Sequence, residues 1–153
     1  MQTDPVRSSG SSEPGRGCLR VYLGAAPGVG KTYAMLDEGA RRAARGTDVV
    51  VGVVETHGRA RTAEQLGDLE VVPRRSVEHG RTTLSELDVD AVLARAPQVC
   101  LVDELAHTNA PGSENTKRWQ DVEELLEAGI DVVTTVNVQH LESLNDVVGD
   151  ITG

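Results

Sequence analysis

Apolar residues gather in four short runs, Leu19–Leu23, Val49–Val54, Gln98–Val102 and Asp131–Val136, each followed by small or polar residues. Val49–Val54 reads VVVGVV without alternation, which predicts a strand buried on both faces of a parallel sheet. Between the runs the spacing changes to that of helices. From Thr32 to Arg45, Met35, Leu36, Gly39, Ala40 and Ala43 share one face, and Gly46 stands where a C-terminal cap belongs. From Asn115 to Ala128, Trp119, Val122, Leu125 and Leu126 form a core-facing stripe that ends at Gly129. Weaker signals predict a short helix at Thr62–Leu66, an extra strand at Leu69–Val72, the end of a helix at Asp90–Arg95 before Pro97, and a last helix near Leu141. Met1–Gly17 has only Met1 and Val6 as clearly apolar residues, so a disordered tail is expected before a domain spanning 18–153. Strands alternating with helices over short connections predict an α/β fold, a P-loop NTPase-like three-layer sandwich around a doubly wound parallel sheet.

The first strand runs into LGAAPGVGKT, and here the pattern acquires chemistry. Terminal phosphates of a nucleotide need converging N–H donors and a cation, and small residues let the main chain curl closely enough to supply the donors. The candidate nucleotide-binding residues are Gly24, Ala25, Ala26, Pro27, Gly28, Val29, Gly30, Lys31 and Thr32, with Lys31 reaching the β- and γ-phosphates and Thr32 holding Mg²⁺. Ala25 occupies the place where the G-x-x-x-x-G-K-[ST] spelling has its first glycine, a mild relaxation with Gly24 beside it. The third apolar run delivers Asp103 and Glu104 to the same sheet edge. A carboxylate after a buried strand is the Walker B arrangement, so Asp103 is the second expected Mg²⁺ residue and Glu104 a possible general base for an attacking water. Asp103 as a simple cap of the following segment is the competing reading. The fourth run is expected to lie between the loop strand and the Asp103 strand, which would put Asn137 near the γ-phosphate as a polar sensor. His57, His107 and His140 also follow strand ends, but no H-E-x-x-H or close Cys/His pair accompanies them, so a histidine zinc site is not expected.

Composition narrows the partners. With 2% aromatics and no phenylalanine, the core has to be built from Val, Leu, Ile and Ala. A net charge of −9 without a basic stripe argues against nucleic acid. Cys18 and Cys100 are isolated, which fits a reducing cytoplasm and no structural metal. No apolar run approaches the ~18 residues of a membrane span, so direct membrane insertion of this chain is not expected. No N-K-x-D guanine reader is present, which tilts the expected nucleotide towards ATP.

The segments GCLRVYLGAAPGVGKTYAML, VVETHGR, VCLVDELAHTNAPGS, KRWQDVEELLEAGIDV and TTVNVQHLESLND together resemble the amino-terminal domain of the KdpD family of potassium-responsive sensor histidine kinases. That resemblance implies a cytoplasmic module of a membrane-anchored two-component kinase that controls synthesis of a high-affinity potassium pump. It implies ATP binding that modulates kinase and phosphatase output, with Gly28, Gly30, Lys31 and Thr32 matching the family's Walker A loop and Asp103 its Walker B. Partners would be the remaining domains of such a kinase: a universal-stress-type lobe, four membrane helices, and a dimerisation and ATPase region with the phosphoacceptor histidine. Without those domains this chain is expected to be truncated relative to the full-length family, and since its four histidines stand in contexts unlike a phosphoacceptor box it is not expected to phosphorylate itself. Alternatives are a stand-alone slow ATPase or small kinase using Glu104 as base, and a nucleotide-free interaction domain with a vestigial loop.

Overall fold

A computed structural model describes residues 5–7, 15–24, 29–55 and 66–140. Its strands are β1 (Pro5–Arg7), β2 (Leu19–Gly24), β3 (Val49–Val53), β4 (Glu70–Val71), β5 (Arg75–His79), β6 (Thr82–Glu86), β7 (Val99–Val102) and β8 (Asp131–Asn137). The helices are α1 (Val29–Ala44), α2 (Val89–Arg95) and α3 (Arg118–Glu127), and a 3₁₀ turn at Val138–His140 follows β8.

Six strands form one sheet in the order β1-β2-β8-β7-β3-β4, in which only β1 runs antiparallel to its neighbour. The fourth run of the sequence therefore does lie between the other two, as β8 between β2 and β7. Every residue of β3 and of β7 is buried, the outcome expected of runs without alternation. One face packs Met35 and Leu36 of α1 on Tyr22, Val49, Val51, Val99, Leu101 and Val133. The other packs Val92 of α2 and Val122, Leu125 and Leu126 of α3 on Val21, Val50, Val102, Val132 and Val136. Helices on both faces of a mainly parallel sheet make the α/β sandwich read from the sequence. Gly46 and Gly129 end α1 and α3 with φ of +95° and +89°, left-handed positions that glycine takes without steric penalty.

Three regions differ from expectation. Pro5–Arg7, inside the stretch expected to be a disordered tail, pairs with Arg20–Tyr22 of β2. Edge pairing draws on main-chain donors and acceptors and asks little of side chains, so an apolar count does not detect it. The helix expected from Asn115 starts at Arg118. Residues just before it are committed elsewhere: the Asn109 N–H donates to the Thr116 carbonyl at 2.9 Å, and the Arg118 N–H to the His107 carbonyl at 3.0 Å. Lastly, β5 and β6 form a separate antiparallel hairpin where the sequence suggests no element. The expected extra strand is present as β4, and the expected helix end as α2, capped by the Asp88 carboxylate accepting from the Ala91 N–H at 3.0 Å. The helices expected at Thr62–Leu66 and from Leu141 fall almost wholly outside the described residues. Among the described residues no helix is long and apolar enough to cross a membrane.

Candidate functional site

Three strand ends and the first turn of α1 meet at one edge of the sheet. Gly24 ends β2 and pairs in register with Asn137, which ends β8, while Asp103 follows β7 directly. From α1, Lys31 and Thr32 turn inward and are only 7% exposed, although both are polar and lie in the opening turn. Burial of this kind needs partners to offset the loss of water. The Thr32 hydroxyl faces both carboxylate oxygens of Asp103, at 3.0 and 3.2 Å.

Asp103 is 1% exposed and is held by more than Thr32. The Thr135 hydroxyl donates to Oδ1 at 2.5 Å, and the Glu55 N–H donates to Oδ2 at 3.0 Å. Three donors on one buried carboxylate satisfy its lone pairs and fix its plane. The same Thr135 oxygen accepts the Glu104 N–H at 2.8 Å, and its carbonyl accepts the Leu105 N–H at 2.9 Å. These bonds hold Glu104 at φ +55°, a left-handed conformation that costs a non-glycine residue roughly 1 kcal/mol or more.

Lys31 explains Gly24. A Cβ at Gly24 would come within 2.4 and 2.5 Å of the Cγ and Cδ of Lys31, so the lysine stem lies directly on the end of β2. Burial pushes the Lys31 ammonium below its ordinary range, and the charges of Asp103 and Glu104 offset part of that shift. The lysine and the aspartate thus share one side of the fold.

Behind Asp103 lies an ionic cluster, buried at Arg118 and Glu86 and half-buried at its margins, that sequence reading misses. Arg118, the first residue of α3, is fully buried, and its Nη1 donates to the Asp103 carbonyl at 2.8 Å. Its Nη2 lies 3.2 Å from Glu86 and 3.6 Å from Glu55. Glu86, at the end of β6, also meets the His107 ring at 2.9 Å and accepts the Ala110 N–H at 2.7 Å. Arg74 completes the cluster by donating to Glu55 at 3.2 Å and to the Val54 carbonyl at 2.8 Å. A lone arginine in KRW and a threonine inside a buried strand carry little signal, since each becomes meaningful only once β7, β8 and α3 are adjacent.

The remaining candidates divide. Ala25, Ala26, Pro27 and Gly28 lie outside the described residues, while Val29 and Gly30 open α1. Asn137 stands beside Gly24, but its side-chain oxygen accepts the Gln139 N–H at 2.9 Å and so is engaged in the turn after β8. Of the histidines at strand ends, His107 is engaged with Glu86, and His57 lies outside the described residues.

With this geometry in view, known proteins place the chain. Residues 15–153 match the KdpD family, described as the osmosensitive K⁺ channel His kinase sensor domain. The chain belongs to the KdpD sensor-domain family. Among KdpD relatives, the sensor protein KdpD of Mycobacterium tuberculosis is 68% identical over 138 residues, covering 90% of this chain and 16% of that protein. The sensor protein KdpD of Escherichia coli is 59% identical over 154 residues, covering 100% of this chain and 17% of that protein. That of Clostridium acetobutylicum is 51% identical over 137 residues, covering 90% of this chain and 15% of that protein. The chain therefore spans about a sixth of the length of these relatives.

Proposed function

We propose that this domain is the ATP-responsive regulatory part of a potassium-responsive two-component sensor kinase, binding Mg-ATP at the sheet edge and passing its occupancy to the rest of that kinase. The observation that carries the reading is the meeting of Lys31, Thr32 and Asp103 over Gly24. A buried ammonium against the stem-wide gap of a glycine suits a phosphate, and a hydroxyl beside a carboxylate is the hard-oxygen donor set that suits Mg²⁺. Thr32 and Asp103 would hold the ion, whose bound charge would lower the repulsion among phosphate oxygens. Lys31 would neutralise the phosphates from the β2 side, with the small residues Gly24 to Gly30 allowing close approach. Thr135 and the Glu55 N–H keep the Asp103 carboxylate in place before any ligand arrives.

Regulation follows by linkage. A ligand at a hundred times its Kd stabilises the state it prefers by about 2.7 kcal/mol, enough to reverse a modest conformational bias. In that reading the domain's partners are the other domains of the sensor kinase. Thermal melts test the binding step: Mg-ATP should raise the melting temperature of the wild-type chain by several degrees and leave Lys31→Ala unmoved. No shift in the wild type, or equal shifts in both, would remove the reading.

A second reading, slow ATP hydrolysis, draws on Glu104. Left-handed backbone at a non-glycine residue recurs at active sites, and this one directly follows the Asp103 carboxylate. Phosphate release by the isolated chain, abolished in Glu104→Gln with nucleotide affinity retained, is the outcome expected of an enzyme. Tight binding with no release in the wild type is the outcome expected of a module that only senses.

A further inference from the structure

The phosphate site described above leaves open what receives the other end of a nucleotide. Stacking on an aromatic ring is the usual sequence-tolerant way for a protein to hold a base. This chain offers few rings: two tyrosines, one tryptophan and no phenylalanine. Tyr22 is 5% exposed and its hydroxyl bonds to Glu38, so its ring belongs to the core under α1. Trp119 packs against the core on the α3 face of the sheet. Of these three, Tyr33 is left, 46% exposed as the fifth residue of α1.

Its position matters as much as its exposure. Tyr33 follows Thr32, and consecutive Cα atoms are about 3.8 Å apart, so the ring is anchored within one residue of the hydroxyl facing Asp103. Tyr33, Val71 and Val138 are the large exposed apolar residues among those described. Val138 follows Asn137, the register partner of Gly24, so two of these exposed residues come next in sequence to residues at the carboxyl edge of the sheet, Thr32 and Asn137. An exposed ring and an exposed branched residue, each one position from a residue of the proposed phosphate site's edge, suit a flat heteroaromatic group.

We infer that Tyr33 is the base-stacking residue of this domain and gives it a preference for purine nucleotides over pyrimidine nucleotides and over bare polyphosphate. The inference rests on the nucleotide reading of the Lys31 site and adds to it the residue that recognises the base. A stacking contact has no hydrogen-bond code, so ATP and GTP should bind more alike than either does to CTP.

Isothermal titration of the full chain separates the two levels. The ligands are Mg-ATP, Mg-CTP and magnesium tripolyphosphate, and the proteins are wild type, Tyr33→Ala and Tyr33→Phe. Tyr33→Ala should weaken Mg-ATP roughly tenfold, leave tripolyphosphate unchanged and erase the ATP-over-CTP preference, while Tyr33→Phe keeps all three wild-type values. Equal Mg-ATP affinity in wild type and Tyr33→Ala would overturn the inference and leave the phosphate site standing. So would a parallel loss for ATP and tripolyphosphate, which marks a disturbed helix end. A wild-type chain that binds none of the ligands would remove the nucleotide reading itself, and this inference with it.

Discussion

At the scale of single residues, the proposed phosphate role of Lys31 and the stability of the empty domain pull in opposite directions. Its ammonium is buried and its pKa lowered, so the fold carries a penalty for the charged form. For a lysine shifted downward, that penalty is complete below the folded pKa and fades as pH rises towards the ordinary lysine range, where both states are neutral. Lys31→Met should accordingly melt higher than wild type at pH 7 without ligand, with the gap closing in alkaline buffer, while losing the ligand-induced shift. A variant that melts lower across the whole range would show that the ammonium stabilises the empty domain. Thr135 makes the opposite case. Its one hydroxyl serves Asp103 and the Glu104 N–H together. Thr135→Val keeps the shape and removes both bonds, and should lower stability by about 1–3 kcal/mol in urea titrations. The placing of Lys31, Thr32 and Asp103 at one sheet edge was legible because each directly follows a strand or opens the helix after one. Thr135, Glu55 and Arg118 were not, because their roles depend on strand adjacency that no local window contains.

Among elements, the strands were the easiest to read and the hairpin the hardest. β3 and β7 are buried throughout, so their residues had to form unbroken apolar runs. The β5–β6 hairpin offers little apolar signal, with Val77 opposite Leu84 and most other positions exposed. Its one buried residue is Glu86, a charge that makes sense only against Arg118 and His107. That pairing ties α3 and the hairpin to the Asp103 carbonyl. Arg118→Ala would leave Glu86 and Glu55 without their fully buried counter-charge and should cost about 3–5 kcal/mol, measured by chemical denaturation. Arg118→Lys should recover only part of this, because a single ammonium does not reproduce the fork that reaches three oxygens. The start of α3 was misjudged for a related reason. Residues before Arg118 pair with the 107–109 segment, and helical spacing alone does not reveal that competition.

Across the whole molecule, the parts are unequally held. The central strands β2, β8, β7 and β3 sit between two apolar layers, whereas the hairpin lies outside the main sheet. Hydrogen exchange should therefore protect the β7 and β8 amides most and release those of β5 and β6 early; uniform protection would contradict a hairpin held less firmly than the main sheet. Thiol chemistry gives an independent check on the core. Cys100 is fully buried and its thiol is pushed up to about 12 by burial, while Cys18 is exposed. A thiol reagent should label one cysteine of the folded chain quickly, and the other only on unfolding. The family was legible in the sequence because its segments span the strands and helices that make the sheet and its two faces, so the fold constrains them together.

The central claim is that Lys31, Thr32 and Asp103 together receive a nucleotide's phosphates and their ion. A crystal structure of the chain grown with magnesium and a non-hydrolysable ATP analogue tests it most directly. The account predicts phosphate density within hydrogen-bonding distance of the Lys31 ammonium and an ion held by the Thr32 hydroxyl and the Asp103 carboxylate. Nucleotide bound at any other face, or an unliganded site at saturating analogue, would contradict it.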